Sequence, residues 1–149
     1  QITSNWCVGF DTTKTSDYVA TAGLAGTTNL NLAIQQRLNP PASDKKEILI
    51  APSWQEDNLL DSCVEEIIEK LYSDDYRLTV RPHPEYVKRY GHKMNALVEK
   101  YKDYDSDKLC FELDFSTNKS IYTADLMITD WSGISAEYCF LCNQIVQHI

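Results

Sequence analysis

The chain has 149 residues, 43% of them hydrophobic, which suits one domain with a single core. Its formal net charge of −8 weighs against nucleic acid as a partner, because a phosphate backbone needs a cationic surface. No apolar run approaches the ~18 residues of a membrane span, and no stretch reads as a signal peptide.

Residues 1–46 form an entry segment with weak patterning. Short strands are expected over Ser4–Phe10 and Ser16–Ala22, with a turn at Gly26–Asn29. Leu30, Ala33, Ile34 and Leu38 lie at helical spacing, stopped by Asn39-Pro-Pro41. Residues 47–149 have a regular rhythm and form the core. Strand Ile48–Ala51 leads into the loop Pro52–Asp57 and a helix over Leu59–Tyr72. Strand Tyr76–Val80 ends at Arg81-Pro-His-Pro84, and a helix follows over Glu85–Tyr101. Strand Leu109–Leu113, helix Thr117–Tyr122, strand Asp125–Thr129, helix Ser132–Cys142 and strand Gln144–His148 complete the order. This alternation predicts an α/β fold, a doubly wound, mostly parallel Rossmann-like sheet in one nucleotide-binding domain. The chain starts at Gln1 rather than Met, and its last residues read as the middle of a strand. It is expected to be a piece of a longer protein.

Ligands of such sheets bind beyond the carboxyl ends of the strands, which brings three loops together: Pro52-Ser-Trp54, Arg81-Pro-His-Pro84 and Thr129-Asp-Trp-Ser-Gly133. The third is a strand that turns through Ser and Gly into a helix. It admits two readings, an ordinary helix cap or a phosphate site. In the second, Ser132 and Ser135 supply hydroxyls, Gly133 lets a phosphate approach the backbone, and Glu137 accepts from ribose hydroxyls. Asp130 either orients the loop through local N–H groups or faces the ligand. Arg81 can offer a bidentate fork to a diphosphate, and His83, pinned between two prolines, a hydrogen bond or a proton. The plainer alternative is a loop histidine beside an arginine paired to an acidic neighbour. Ser53 can reach a phosphate. Trp54 and Trp131 either stack on a base or pack against the protein.

No Ser/His/Asp order, Walker A loop or dinucleotide fingerprint is present, so serine nucleophiles and P-loop hydrolysis lack support. The sequence calls for no cofactor and no metal. Asp103, Asp105 and Asp107 lack the Gly and closing Glu of a calcium loop and read as solvated charge, as does His92. Cys7, Cys63, Cys110, Cys139 and Cys142 leave one thiol unpaired in any disulfide scheme and form no Cys/His ligand cluster. Cys63, Cys110, Cys139 and Cys142 lie in apolar or helical surroundings and read as reduced core thiols of a cytoplasmic protein.

Ala51-Pro-Ser-Trp54, Arg81-Pro-His-Pro84 and Ala124-Asp-Leu-Met-Ile-Thr-Asp-Trp-Ser-Gly133, in that order and spacing, resemble the CDP-glycerol glycerophosphotransferase family, which builds or decorates teichoic-acid-type polymers. The likeness runs from about Ile48 to the end. It implies a GT-B architecture, of which this segment is the C-terminal, donor-binding half. It implies that His83 contacts the donor diphosphate and assists departure of CMP. Ser132 and the N–H groups around Gly133 would hold phosphates, Asp130 would shape that loop, and Arg81 and Ser53 would be auxiliary. The family commonly has a second Ser where this chain has Gly133. It also often shows a Gly-x-Pro-Arg-x-Asp element that Ala22–Gly26 does not reproduce.

The implied partners are CDP-glycerol or another nucleotide-diphosphate donor, a polymer or glycan acceptor, and an N-terminal half that carries the catalytic base. Isolated, this piece is expected to bind donor without turnover. The implied place is the cytoplasm, with the whole enzyme peripheral at the inner face of the cell membrane. Two competitors stand beside this reading. One is a UDP-sugar enzyme of the same architecture, a UDP-N-acetylglucosamine 2-epimerase or a glycosyltransferase, which shares the pattern of Ser132-Gly-Ile-Ser-Ala-Glu137. The other is a non-catalytic Rossmann interaction domain.

Overall fold

The computed structural model describes residues 44–116, 118–142 and 144–149. The elements expected within 1–43, and the expected helix start at Thr117, lie outside the described residues. Strands β1 (Lys46–Ile50), β2 (Tyr76–Val80), β3 (Leu109–Phe111), β4 (Leu126–Thr129) and β5 (Ile145–His148) form one all-parallel sheet in the order β3-β2-β1-β4-β5. The α/β doubly wound expectation holds.

Ile48, Leu49 and Ile50 are all buried, because both faces of a parallel sheet are covered. Side chains alternate between the faces. Ile48, Ile50, Leu78, Val80 and Ile128 join one core with Leu59, Val64, Ile68 and Tyr101. Leu49, Ala51, Met127 and Val146 join the other with Ile121, Tyr122 and Tyr138. The first core is therefore roofed by α1 (Leu59–Ser62), α2 (Val64–Leu71) and α3 (Pro84–Lys100), the second by α4 (Lys119–Thr123) and α5 (Ile134–Cys142). Right-handed crossovers require this division. The chain steps outward from β1 to β3 and then returns across the sheet to β4, so its later helices must lie on the opposite face. The reversal opens a crevice between the carboxyl ends of β1 and β4.

Several boundaries differ from the sequence reading. The single helix over Leu59–Tyr72 is two helices, broken at Cys63 (φ −141°, ψ 8°). Ser62 Oγ donates to the Asn58 carbonyl at 2.9 Å, a side-chain bond that competes with the helix ladder and bends it. In α3 the proline at the first position suits the start, and the helix kinks at Tyr90, beside Gly91. Strand β3 stops at Phe111, two residues short of Leu113. Cys139 and Cys142 are buried at CxxC spacing on α5, a spacing the cysteine reading overlooked; Cys142 Sγ donates to the Ile121 carbonyl at 3.3 Å. Cys63 and Cys110 are half-buried and free. Among the described residues no helix is long and apolar enough to cross a membrane.

Candidate functional site

Four strand ends meet around a cleft of about 350 Å³, within the usual range for small-ligand sites, roughly 300–1,000 Å³. Ala51 and Pro52 line it after β1, Arg81 to Pro84 after β2, Phe115, Asn118 and Ile121 after β3, and Ser132, Gly133, Ile134 and Glu137 after β4. The three loops expected together do come together, and the loop after β3 joins them.

The β1 and β4 loops are fastened to each other. The Ala51 N–H donates to the Ile128 carbonyl at 2.9 Å, and Thr129 Oγ1 to the Ala51 carbonyl at 2.6 Å. Asp130 is buried, and its carboxylate takes the Ser53 N–H at 2.7 Å and the Leu59 N–H at 2.8 Å. Its carbonyl accepts from His148 Nδ1 at 2.9 Å. Asp130 thus binds N–H groups more than seventy residues away in sequence rather than local ones, and answers a donor in the first turn of α1. Ser53 is buried beside the cleft without lining it, and its hydroxyl has no partner among the described residues. Trp131 is 86% exposed, so of its two readings the one that packs it against the protein does not hold. Trp54 is half-buried under Arg89, whose guanidinium lies 4.8 Å from its ring centre, with the His83 ring 6.3 Å away.

Arg81 lines the cleft, yet its fork is committed to the protein. Nη1 lies 2.8 Å from Glu112 Oε1, at ion-pair distance but without hydrogen-bond alignment, and Nη2 donates to Asn118 Oδ1 at 3.0 Å. The acidic pairing set out as the plainer alternative is the arrangement found. His83 is the N-cap of α3, where its Nδ1 accepts the Glu85 N–H at 3.1 Å. Accepting through Nδ1 fixes the neutral ring in the Nε2–H tautomer, so the remaining polar atom of this cleft-lining residue is a donor.

At the start of α5, Ser132 and Gly133 line the cleft and Ser135 does not. Both the N–H (3.2 Å) and the hydroxyl (2.9 Å) of Ser135 donate to the Ser132 carbonyl, and the Ala136 N–H donates to the Gly133 carbonyl at 3.2 Å. Ser135 therefore belongs to the turn, contrary to its expected place in the site. The Ser132 hydroxyl and the N–H groups of Gly133 and Ile134 have no partner among the described residues. Burial raises the half-buried Glu137 carboxyl above its ordinary value. Among the described residues no group of three or more His, Cys, Asp or Glu is placed to hold a metal ion. His92 and Asp103, Asp105 and Asp107 are exposed.

Sequence reasoning missed Phe115, Asn118 and Glu112, which carry no motif. The strand-end rule, applied to β3 as well, would have found them: β3 pairs with β2, which sets its carboxyl end beside Arg81.

The histidine-to-asparagine variant of the wall teichoic acid polymerase TagF is similar in structure, with a TM-score of 0.50 and 22% identity over 87% of this chain. The same variant after a 30 minute soak with CDPG gives 0.47 and 25% over 87%. This chain spans 31% and 29% of those two chains. The first likeness bears on the fold and agrees with the GT-B architecture expected above. No curated protein sequence matches. A family model described as CDP-glycerol:poly(glycerophosphate) glycerophosphotransferase matches residues 25–148. With most of its length so matched, the chain belongs to the CDP-glycerol:poly(glycerophosphate) glycerophosphotransferase family.

Proposed function

We propose that this chain is the donor-nucleotide-binding domain of an enzyme that transfers glycerol phosphate from CDP-glycerol to a hydroxyl of a cell-surface polymer or glycan. The domain is the C-terminal part of a longer cytoplasmic enzyme, peripheral to the membrane, and the catalytic base comes from another part. The acceptor oxygen attacks the β-phosphorus, the bond from that phosphorus to the bridging oxygen breaks, and CMP departs. This transfer needs positioning and charge stabilisation more than covalent protein chemistry. Ser132 and the N–H groups of Gly133 and Ile134 hold the phosphates, Glu137 takes ribose hydroxyls, and His83 Nε2–H stabilises the departing phosphate.

The observation that carries the reading is the tautomer of His83, set by its own helix cap across a cleft that also receives the start of α5. The test is calorimetric titration of the full chain with CDP-glycerol, CDP, UDP and UDP-N-acetylglucosamine, repeated on His83→Asn. Asparagine is a good N-cap, so the melting temperature should stay within a few degrees. Cytidine-selective binding, weakened about 10- to 100-fold in the variant, is the expected result. Preference for uridine ligands would move the assignment to the UDP-sugar enzymes. Binding of none of the four would favour the non-catalytic interaction domain.

A further inference from the structure

We propose that Trp54 is the positioning residue for His83, holding the imidazole so that its Nε2–H faces the cleft, and that Arg89 and Glu85 hold Trp54 in turn. The inference rests on the donor-nucleotide reading above and deepens it.

A helix cap fixes one atom of a histidine ring. Nδ1 of His83 accepts the Glu85 N–H at 3.1 Å, and a single hydrogen bond leaves the ring able to tilt about it. The second constraint comes from another loop. The Trp54 ring lies beside the imidazole, with 6.3 Å between centres and 43° between planes, within the usual range for an aromatic pair. Trp54 is itself held at the backbone and at the side chain. The N–H of the preceding Ser53 and that of Leu59 both go to the Asp130 carboxylate, which fixes the two ends of its loop. The Arg89 guanidinium lies 4.8 Å from the Trp54 ring centre, and Arg89 Nε donates to Glu85 Oε2 at 3.3 Å. The contacts close a circuit from His83 to Glu85, to Arg89, to Trp54 and back to His83. Three of the four belong to α3 or its cap, so Trp54 alone ties the β1 loop to the histidine.

The cleft shows which member meets a ligand. His83 lines it, and Trp54, Glu85 and Arg89 do not. Trp54 therefore stands behind the histidine, and what it does for a bound phosphate it does through the imidazole. A residue so placed is a brace rather than a platform for a base. A hydrogen-bond donor held in advance needs no ordering when the ligand arrives, which is what stabilising the charge on a departing phosphate requires.

Two measurements on the full chain test this. The first needs no ligand and reads the imidazole nitrogens of His83 by NMR in mildly alkaline buffer, where an ordinary imidazole is neutral. Their signals are identified by their loss in His83→Asn. The wild-type chain should show the Nε2–H form and Trp54→Leu a mixture of both tautomers. Trp54→Phe keeps an aromatic wall and should return the wild-type pattern. The second measurement is a double-mutant cycle in CDP affinity. Trp54→Leu should weaken CDP about fivefold in the wild-type background and less than about twofold in His83→Asn, because a residue acting through the histidine loses its effect with it. Arg89→Met changes a side chain that is 55% exposed and should move both readouts the same way, a second route should Trp54→Leu fold poorly. Equal losses in both backgrounds, or a tautomer that Trp54→Leu and Arg89→Met leave unchanged, overturn the inference alone. A wild-type chain that binds no CDP overturns the donor reading beneath it, and the tautomer then still decides whether Trp54 positions His83.

Discussion

Among the described residues two clefts of similar size can be compared, and of these the one at the strand ends has the makings of a site. The groove between α1, α2 and α3 is the larger, about 410 Å³ against about 350 Å³ at the strand ends. Its polar groups answer one another. Asp61 Oδ1 accepts from Tyr86 Oη at 2.9 Å and from Lys93 Nζ at 2.8 Å, and Glu65 pairs with Lys100. At the strand ends His83 and Ser132 each keep a polar atom that no described residue answers. Folded proteins rarely leave such atoms together without a purpose, so unanswered polarity marks a site better than volume does.

The comparison is broken most severely at Asp130, which holds two walls of the strand-end cleft in register. Asp130→Ala leaves the buried N–H groups of Ser53 and Leu59 without an acceptor. The expected loss is about 3–5 kcal/mol of stability, seen as a lower urea midpoint at unchanged slope. Nucleotide affinity should fall with it. An unmoved midpoint would mean that the loops hold their places without this carboxylate.

The same residue shows where reading the sequence stops. Strands β1, β2 and β4 were legible to within about two residues, because apolar runs bounded by Pro, Gly and Asp are local signals. The meeting of the loops was legible too, from the strand-end rule alone. The bonds of Asp130 span 71 and 77 residues, and no local pattern announces them. Ser135 looked like Ser132 in the sequence; only the turn geometry separates a hydroxyl spent on a carbonyl from one facing the cleft. The break at Cys63 was hidden for a related reason. The apolar spacing of Leu60, Val64, Ile67, Ile68 and Leu71 continues across it, whereas the competing bond comes from Ser62.

The helix groove offers the control. Asp61→Ala should cost about 1–2 kcal/mol, mainly because the hydroxyl of the buried Tyr86 loses its acceptor. It should leave nucleotide affinity where it was. Burial pushes the Asp61 carboxyl up, but the hydrogen bonds from Lys93 and Tyr86 and the Lys93 charge together bring it below its ordinary value. A carboxyl lowered in the folded state stabilises above the unfolded value of ~3.9 and loses that contribution as the pH falls through the folded one. The gap between variant and wild type should therefore narrow below about pH 4. A full gap persisting at pH 2 would assign the effect to packing, and a change in nucleotide affinity would join the two clefts functionally.

The smallest expected effect sharpens the strand-end side. A Cβ built at Gly133 meets nothing within 4 Å, and the backbone there is outside the left-handed region, so the fold itself does not require glycine. Gly133→Ser should leave stability within about 0.5 kcal/mol of wild type. Its hydroxyl would stand beside that of Ser132, the arrangement common in the family. We expect CDP to bind a few-fold more tightly and cytidine to bind unchanged, since in the proposed placement only the phosphates reach this loop. Weaker binding of CDP, with cytidine again unaffected, would carry different information. It would mean that a phosphate lies against the backbone itself, so that glycine is kept at 133 for the ligand's approach rather than for the chain's conformation.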